Sequence, residues 1–243
     1  MRRFLLLFLV PVLATPVACG DEGAGGSDEV LVLAASSLTG AFEEAAAAFE
    51  DAHPGLDVVL SFDSSSTLAG QVAEGAPADV LATADQETMA RAVRSGSVSG
   101  EPVVFAANHG VIAVPAGSDR VTSPADLEGD VTLAVCAPGV PCRVVADRLF
   151  EELGVDPAIA TEEENVSAVV EKLVAGEVDA GVVYRTDDLA HDEIEALDVG
   201  DVVVGTEYPI VTASDDEAAQ AFVDFITGEV GQAILADAGF VAP

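Results

Sequence analysis

From residue 30 onward, short runs of β-branched residues alternate with stretches whose apolar positions recur at helical spacing. That alternation restricts the chain to strand-helix-strand units, because a parallel strand pair needs a long crossover and a helix is the compact way to make one. The first series predicts strands at 30–34, 58–62 and 79–83 and helices at 38–51, 66–74 and 86–93, the last capped by Asp85. On the first helix Phe42, Ala45, Ala46 and Phe49 fall on one face. Strands at 103–107 and 110–115 leave this series. A second series predicts strands at 132–136 and 180–184 with helices at 144–153 and 166–175. Strands at 201–204 and 208–212 and helices at 216–225 and 229–238 close the chain. The closing helices need a sheet to pack on, so the prediction is an α/β protein of two lobes joined by crossing strands. Residues 29–104 with 206–243 form one lobe, and residues 105–205 form the other.

A chain of 243 residues with half of them apolar has ample material for two such cores. Its charge is extreme: 43 acidic residues face 9 basic ones for a net charge of −34, and Lys172 is the sole lysine. Nucleic acid is therefore excluded as a partner, since polyphosphate binding needs clustered Lys and Arg to release counterions. The acidity reads first as a solvated surface. Adaptation to salty surroundings, where screening relieves self-repulsion, is the sharper reading.

Arg2 and Arg3, the apolar run 4–12 and the small-residue exit 14–18 form an export signal, residues 1–18. Pro11 and Pro16 interrupt it and it is too short to read as a spanning helix. Val17-Ala18-Cys19-Gly20 resembles the lipobox of bacterial lipoproteins, with Pro16 where leucine is usual, so lipidation is expected at Cys19. Residues 19–28 then act as a flexible stalk, placing the fold outside the cytoplasmic membrane as a tethered or periplasmic monomer. With Cys19 lipidated, Cys136 and Cys142 remain as an even pair in an oxidising compartment, and a disulfide is expected. Closing so small a loop is worth roughly 2 kcal/mol. Two thiols without nearby histidine are too few ligands for zinc.

In open α/β sheets ligands sit beyond the carboxyl ends of strands. Three strand-to-helix junctions there are unusual: Ala34-Ala35-Ser36-Ser37-Leu38-Thr39, Asp63-Ser64-Ser65-Ser66-Thr67-Leu68, and the cysteine loop with Pro141 at a helix start. Each offers orphan N–H groups at a positive helix end, and two add hydroxyls, which is an anion-binding arrangement. Serines before helices also serve simply as caps, and one such junction by itself would be read that way.

Taken together with Gly75-Ala76-Pro77-Ala78-Asp79-Val80, Thr83-Ala84-Asp85, Val140-Pro141 and Gly181-Val182-Val183-Tyr184, these segments resemble, in order and spacing, the periplasmic molybdate-binding proteins of ABC importers. The resemblance runs from about residue 30 to residue 240. It implies a two-lobed type II periplasmic-binding-protein fold with a ligand cleft between the lobes. It also implies molybdate or tungstate as ligand, no cofactor, and a membrane permease with its ATPase as partners. By position, Ser37 and Ser65 would each present a hydroxyl and a backbone N–H, Cys142 and Val166 backbone N–H groups, and Tyr184 its phenol. Arg143 stands where the family more often has glycine, and its direction, into the pocket or toward solvent, stays open. Asp63 replaces a small residue and is expected to point away, in a capping role.

The chemistry agrees with the resemblance. A fully deprotonated dianion offers only acceptors, so its site should offer only donors, and hydroxyls with peptide N–H groups do so without formal charge. Sulfate or another tetrahedral oxyanion satisfies the same pattern. A hydrolase using Ser65 or Cys142 as nucleophile would need a base. His53, His109 and His191 lie at a helix end, a lobe crossing and an acidic loop, and no Gly-x-Ser-x-Gly elbow is present, so the chain is not expected to be an enzyme. An adhesion protein, suggested by tether and acidic coat alone, is the remaining class.

Overall fold

Residues 29–243 are described in the computed structural model; the export signal, Cys19 and the stalk lie outside the described residues. The first series folds as β1 (Glu29–Ala35), a 3-10 turn (Ser36–Leu38), α1 (Thr39–Ala52), β2 (Asp57–Asp63), α2 (Ser65–Ala73), β3 (Val80–Ala82) and α3 (Gln86–Ser95). The crossing strand β4 (Val103–Pro115) follows. The second series is β5 (Leu133–Cys136), α4 (Pro141–Leu153), β6 (Thr161–Glu163), α5 (Val166–Val174), β7 (Ala180–Tyr184), α6 (Arg185–Ala190) and β8 (Ile194–Ala196). The chain then returns through β9 (Gly205–Thr212) and ends in α7 (Glu217–Thr227) and α8 (Glu229–Asp237). The strands line up in the order β2-β1-β3-β9-β4-β7-β5-β6, with β8 on β4. Parallel pairs lie at the two flanks, β1 with β2 and β3, and β5 with β6 and β7. The central ladders made by β4 and β9 are antiparallel.

β4 is one strand where the sequence suggested two. Its first part pairs with β9 from Val103 to His109, with a register shift between Val104 and Ala106, and Gly110 to Ala113 then pair with β7. The polar interruption Asn108-His109 does not break it because Asn108 is satisfied inside: its amide donates to Thr186 Oγ1 at 2.9 Å and its carbonyl oxygen accepts from His109 N–H. The predicted strand at 201–204 is a loop. Val204 is buried and Val202 packs on the core without a ladder, so the β-branched run there reflects burial and not pairing.

Burial explains why the helices sit where they do. In the first half, α1, α7 and α8 cover one sheet face, where Phe49 meets Phe222 edge-on at 5.3 Å between centroids and Phe42 meets Phe222 at 6.1 Å. Fully burying such a side chain stabilises by about 1.5–3 kcal/mol. Leu68 and Val72 of α2 and Met89 and Ala92 of α3 cover the opposite face with Leu33, Leu81 and Val211. The second half has its own core, in which Ile112, Leu133, Leu149, Val169, Leu173 and Val182 are fully buried. Gly181 permits the close contact of β7 with α5, for a Cβ there would stand 2.8 Å from Val169 Cγ1.

Candidate functional site

Four helix beginnings and one strand end converge on a single small cavity. Ser37 arrives on the 3-10 turn after β1, Ser65 opens α2, Cys142 lies in the first turn of α4, Val166 opens α5, and Tyr184 ends β7. All five line the cavity. The space is tight: about 10 Å³ is open to the centre of a water molecule. That is the room one water needs, so a larger guest seats only when the two walls part slightly.

Local structure aims donors inward. Ser64, the N-cap of α2, accepts from Thr67 N–H at 3.2 Å, which relieves Ser65 of capping duty. Ser65 Oγ instead accepts from Ala84 N–H at 2.9 Å. With its acceptor side engaged, the Ser65 proton is available to a guest. Ser37 Oγ lies 2.9 Å from the Tyr208 hydroxyl. Burial pushes the Tyr208 phenol well up, so it is a neutral O–H that can donate to Ser37 and free the Ser37 proton. On the opposite wall Asn165 caps α5 by accepting from Ala168 N–H at 3.0 Å, leaving Val166 N–H among the first-turn donors without an intrahelical partner. Pro141 at the first position of α4 has no N–H, so Cys142 supplies the first free amide of that helix. The Cys136–Cys142 disulfide fixes the loop in between, with Cα atoms 5.8 Å apart.

Tyr184 completes the set. Its side chain is 2% exposed, and its hydroxyl is the one buried side-chain polar atom among the described residues with no hydrogen-bond partner. Burial, then the neighbouring Tyr208 and Asp187, push its phenol well up, so it too is a neutral donor. Leaving such a group unsatisfied costs about 1–3 kcal/mol, a penalty that an acceptor in the cavity removes. Asp187 anchors the backbone here, its carboxylate accepting Tyr184 N–H at 2.8 Å. Burial pushes the Asp187 carboxyl up to about 7, against the opposing pull of that hydrogen bond and of His191.

No lysine, arginine or histidine lines the cavity among the described residues. Arg143 turns away, engaging Asp147 at 2.7 Å and Glu162 at 2.8 Å, which settles its direction. Asp63 is a wall residue rather than a cap: its Oδ1 accepts Ser64 N–H at 2.6 Å, while Ser64 does the capping. Cys142 is held in the disulfide and offers no thiolate. A larger cavity of about 540 Å³ shares Ser36 and Ser37 and adds Ser167, Thr186 and His191, but it also carries the carboxyls of Glu171, Asp187 and Asp237, which a dianion would have to face. Sequence reasoning missed Tyr208, which sets the Ser37 hydroxyl, and Asn165, which frees Val166. The available signal for the first was scarcity, for the chain has 2 tyrosines and both are here.

The profile described as bacterial extracellular solute-binding protein matches residues 30–241. The molybdate-binding protein ModA of Mycobacterium tuberculosis strain H37Rv is 33% identical over 255 residues, spanning 96% of this chain and 95% of that protein. The chain belongs to the bacterial extracellular solute-binding proteins. Among solved structures of this fold, the periplasmic molybdate-binding protein of Azotobacter vinelandii superposes with a TM-score of 0.73 at 21% identity, covering 88% of this chain and 99% of that one. The sulfate-binding protein SubI of Mycobacterium tuberculosis gives 0.75 at 17% identity, covering 88% and 86%. The α/β periplasmic-binding-protein architecture expected from the sequence is thus the observed one.

Proposed function

We propose that this solute-binding protein captures molybdate, or tungstate, outside the cytoplasmic membrane and delivers it to an ABC permease with its ATPase. The observation that carries the reading is the orphaned Tyr184 hydroxyl in a cavity where the Ser37 and Ser65 hydroxyls and the first-turn amides of α4 and α5 converge, with Asp63 as the one carboxylate among the described residues of the wall. Molybdate is a fully deprotonated dianion near neutral pH, and such a guest accepts from every donor. Hydrogen phosphate brings a proton that needs an acceptor. The one carboxylate of the wall, Asp63, already has Oδ1 occupied by Ser64 N–H. An unmatched proton costs about 1–3 kcal/mol, so phosphate is set apart to the extent that the remaining oxygen of Asp63, Oδ2, faces away from the guest. The names of the ModA relatives support the same ligand. The ligand contacts would fall to Ser37, Ser65, Cys142, Val166 and Tyr184.

We read the site as one for binding: among the described residues no histidine stands at the cavity to serve Ser65 as a base, and Cys142 is held in the disulfide. Capture and closure would run on β4, which pairs with β9 in the first half and with β7 and β8 in the second, and on the return of the chain into β9: a guest touching both walls favours the state in which the walls meet. The export signal at residues 1–18 and lipid attachment at Cys19 supply the extracytoplasmic tether. Sulfate is the second reading, favoured by the small size of the cavity, because it is the smaller tetrahedral dianion. Calorimetry with molybdate, tungstate, sulfate and phosphate decides. Tight molybdate and tungstate binding with no phosphate heat is expected, and sulfate binding tighter than molybdate overturns the first reading.

A further inference from the structure

One polar contact spans the two walls beside the cavity without lining it. Ser66 Oγ, in the first turn of α2, donates to the Gly139 carbonyl at 2.5 Å across 73 residues of sequence. The direction is set, because Arg91 Nη2 donates to Ser66 Oγ at 3.3 Å while also reaching Thr88 Oγ1 at 3.0 Å, leaving the serine proton for Gly139. Gly139 belongs to the disulfide loop, whose cysteines are 6 apart in sequence, and sits at φ +87°, a left-handed conformation that turns the loop between Cys136 and Cys142. The loop is tied further by Ala137 N–H on Glu163 O at 2.7 Å and Val140 N–H on Ala137 O at 3.2 Å. The next residues of the same loop, Val140 to Cys142, form the cavity wall.

We infer that Ser66 and Gly139 form a latch between the two walls, fastened to the disulfide loop, that sets how much of the protein is closed and so tunes oxyanion affinity without touching the guest. The bond needs nothing from the ligand, so it stabilises the closed form whether or not the cavity is filled. Apparent affinity scales with the fraction of binding-competent protein, and losing the latch lowers that fraction. The disulfide matters because it makes Gly139 C=O and Cys142 N–H parts of one stiff unit. Drawing Gly139 toward Ser66 thereby carries the Cys142 amide toward the guest. Ser66 is a positioning residue, distinct from its neighbour Ser65 by facing the rim instead of the cavity.

The inference rests on the oxyanion reading above, and its test separates the two. In the mature full chain, Ser66→Ala should raise the molybdate Kd about three- to tenfold, chiefly through faster dissociation, while Ser66→Thr, which keeps the hydroxyl, restores it. In ligand-free protein Ser66→Ala should increase the radius of gyration measured by small-angle scattering. Cys136→Ala/Cys142→Ala should weaken binding as well, and adding Ser66→Ala to it should then change Kd less than it does in the oxidised protein. If wild-type protein binds molybdate while Ser66→Ala leaves both dissociation rate and ligand-free size unchanged, the latch is wrong and the oxyanion site stands. Full additivity of the serine and cysteine substitutions also overturns it. Should wild-type protein bind no oxyanion, the oxyanion reading fails instead, and the scattering comparison still decides the latch.

Discussion

The two walls of the cavity reach the same chemistry by different means. On the first-half wall the expected donors include side-chain hydroxyls, those of Ser37 and Ser65, beside the backbone N–H groups of the same residues, and each hydroxyl is placed by a buried partner, Tyr208 and Ala84 N–H respectively. On the second-half wall two donors belong to the backbone at Cys142 and Val166, and Tyr184 is the one side chain involved. A hydroxyl disappears when its residue changes, whereas a peptide N–H survives any substitution except proline. This is why cysteine and valine, neither of them an obvious anion ligand, can occupy the second wall. The first wall would therefore depend on residue identity at Ser37 and Ser65, and the second at Tyr184 alone.

That contrast can be broken in graded steps. The largest effect is expected from Ser37→Ala with Ser65→Ala, which strips the first wall of its hydroxyls and should weaken molybdate binding by about thirtyfold or more in calorimetry. Tyr184→Phe should weaken it about tenfold, yet raise the ligand-free unfolding free energy by about 1 kcal/mol, because it removes a buried polar atom that has no partner. Opposite signs on affinity and stability are the mark of a donor reserved for a guest. Val166→Pro deletes one N–H at a helix position that tolerates proline and should cost about fivefold in affinity, while Val166→Ala, which keeps the N–H, should change it less than about twofold. The smallest effect concerns pH. Asp187 binds its proton up to about pH 7 in the folded protein but only to its ordinary value of 3.8 when unfolded. Between these values the native state holds the extra proton, so this residue's contribution to stability is present at low pH and lost as pH rises toward 7. Denaturant unfolding of Asp187→Asn should show a shallower decline over that window than wild type.

Much of the fold was legible because burial and chain direction left period-2 and helical patterns in the sequence. β1, β3, β5 and β7 are apolar runs covered on both faces, and α1, α5 and α7 carry clean apolar stripes. What was missed is short or polar. β6 is Thr161–Glu163, an edge strand whose side chains offer no apolar signal, and α6 is six residues begun by a carboxylate on Tyr184 N–H. The site itself was readable at the serine junctions and at Tyr184, where hydroxyls near helix starts are chemically unusual. Its supports were not, because Tyr208 and Ala84 reach Ser37 and Ser65 from 171 and 19 residues away, contacts that only the folded chain creates.

The central claim is that a doubly charged oxyanion sits in the small cavity, held by neutral donors from both walls. A crystal grown with molybdate and measured at a wavelength where molybdenum scatters anomalously tests this directly. The account predicts one strong peak between Ser37, Ser65 and Tyr184, with oxygens within about 3.2 Å of those hydroxyls and of the Cys142 and Val166 amides. A peak in the larger acidic cavity beside Asp187, or oxygens held by Arg143 instead, would contradict it.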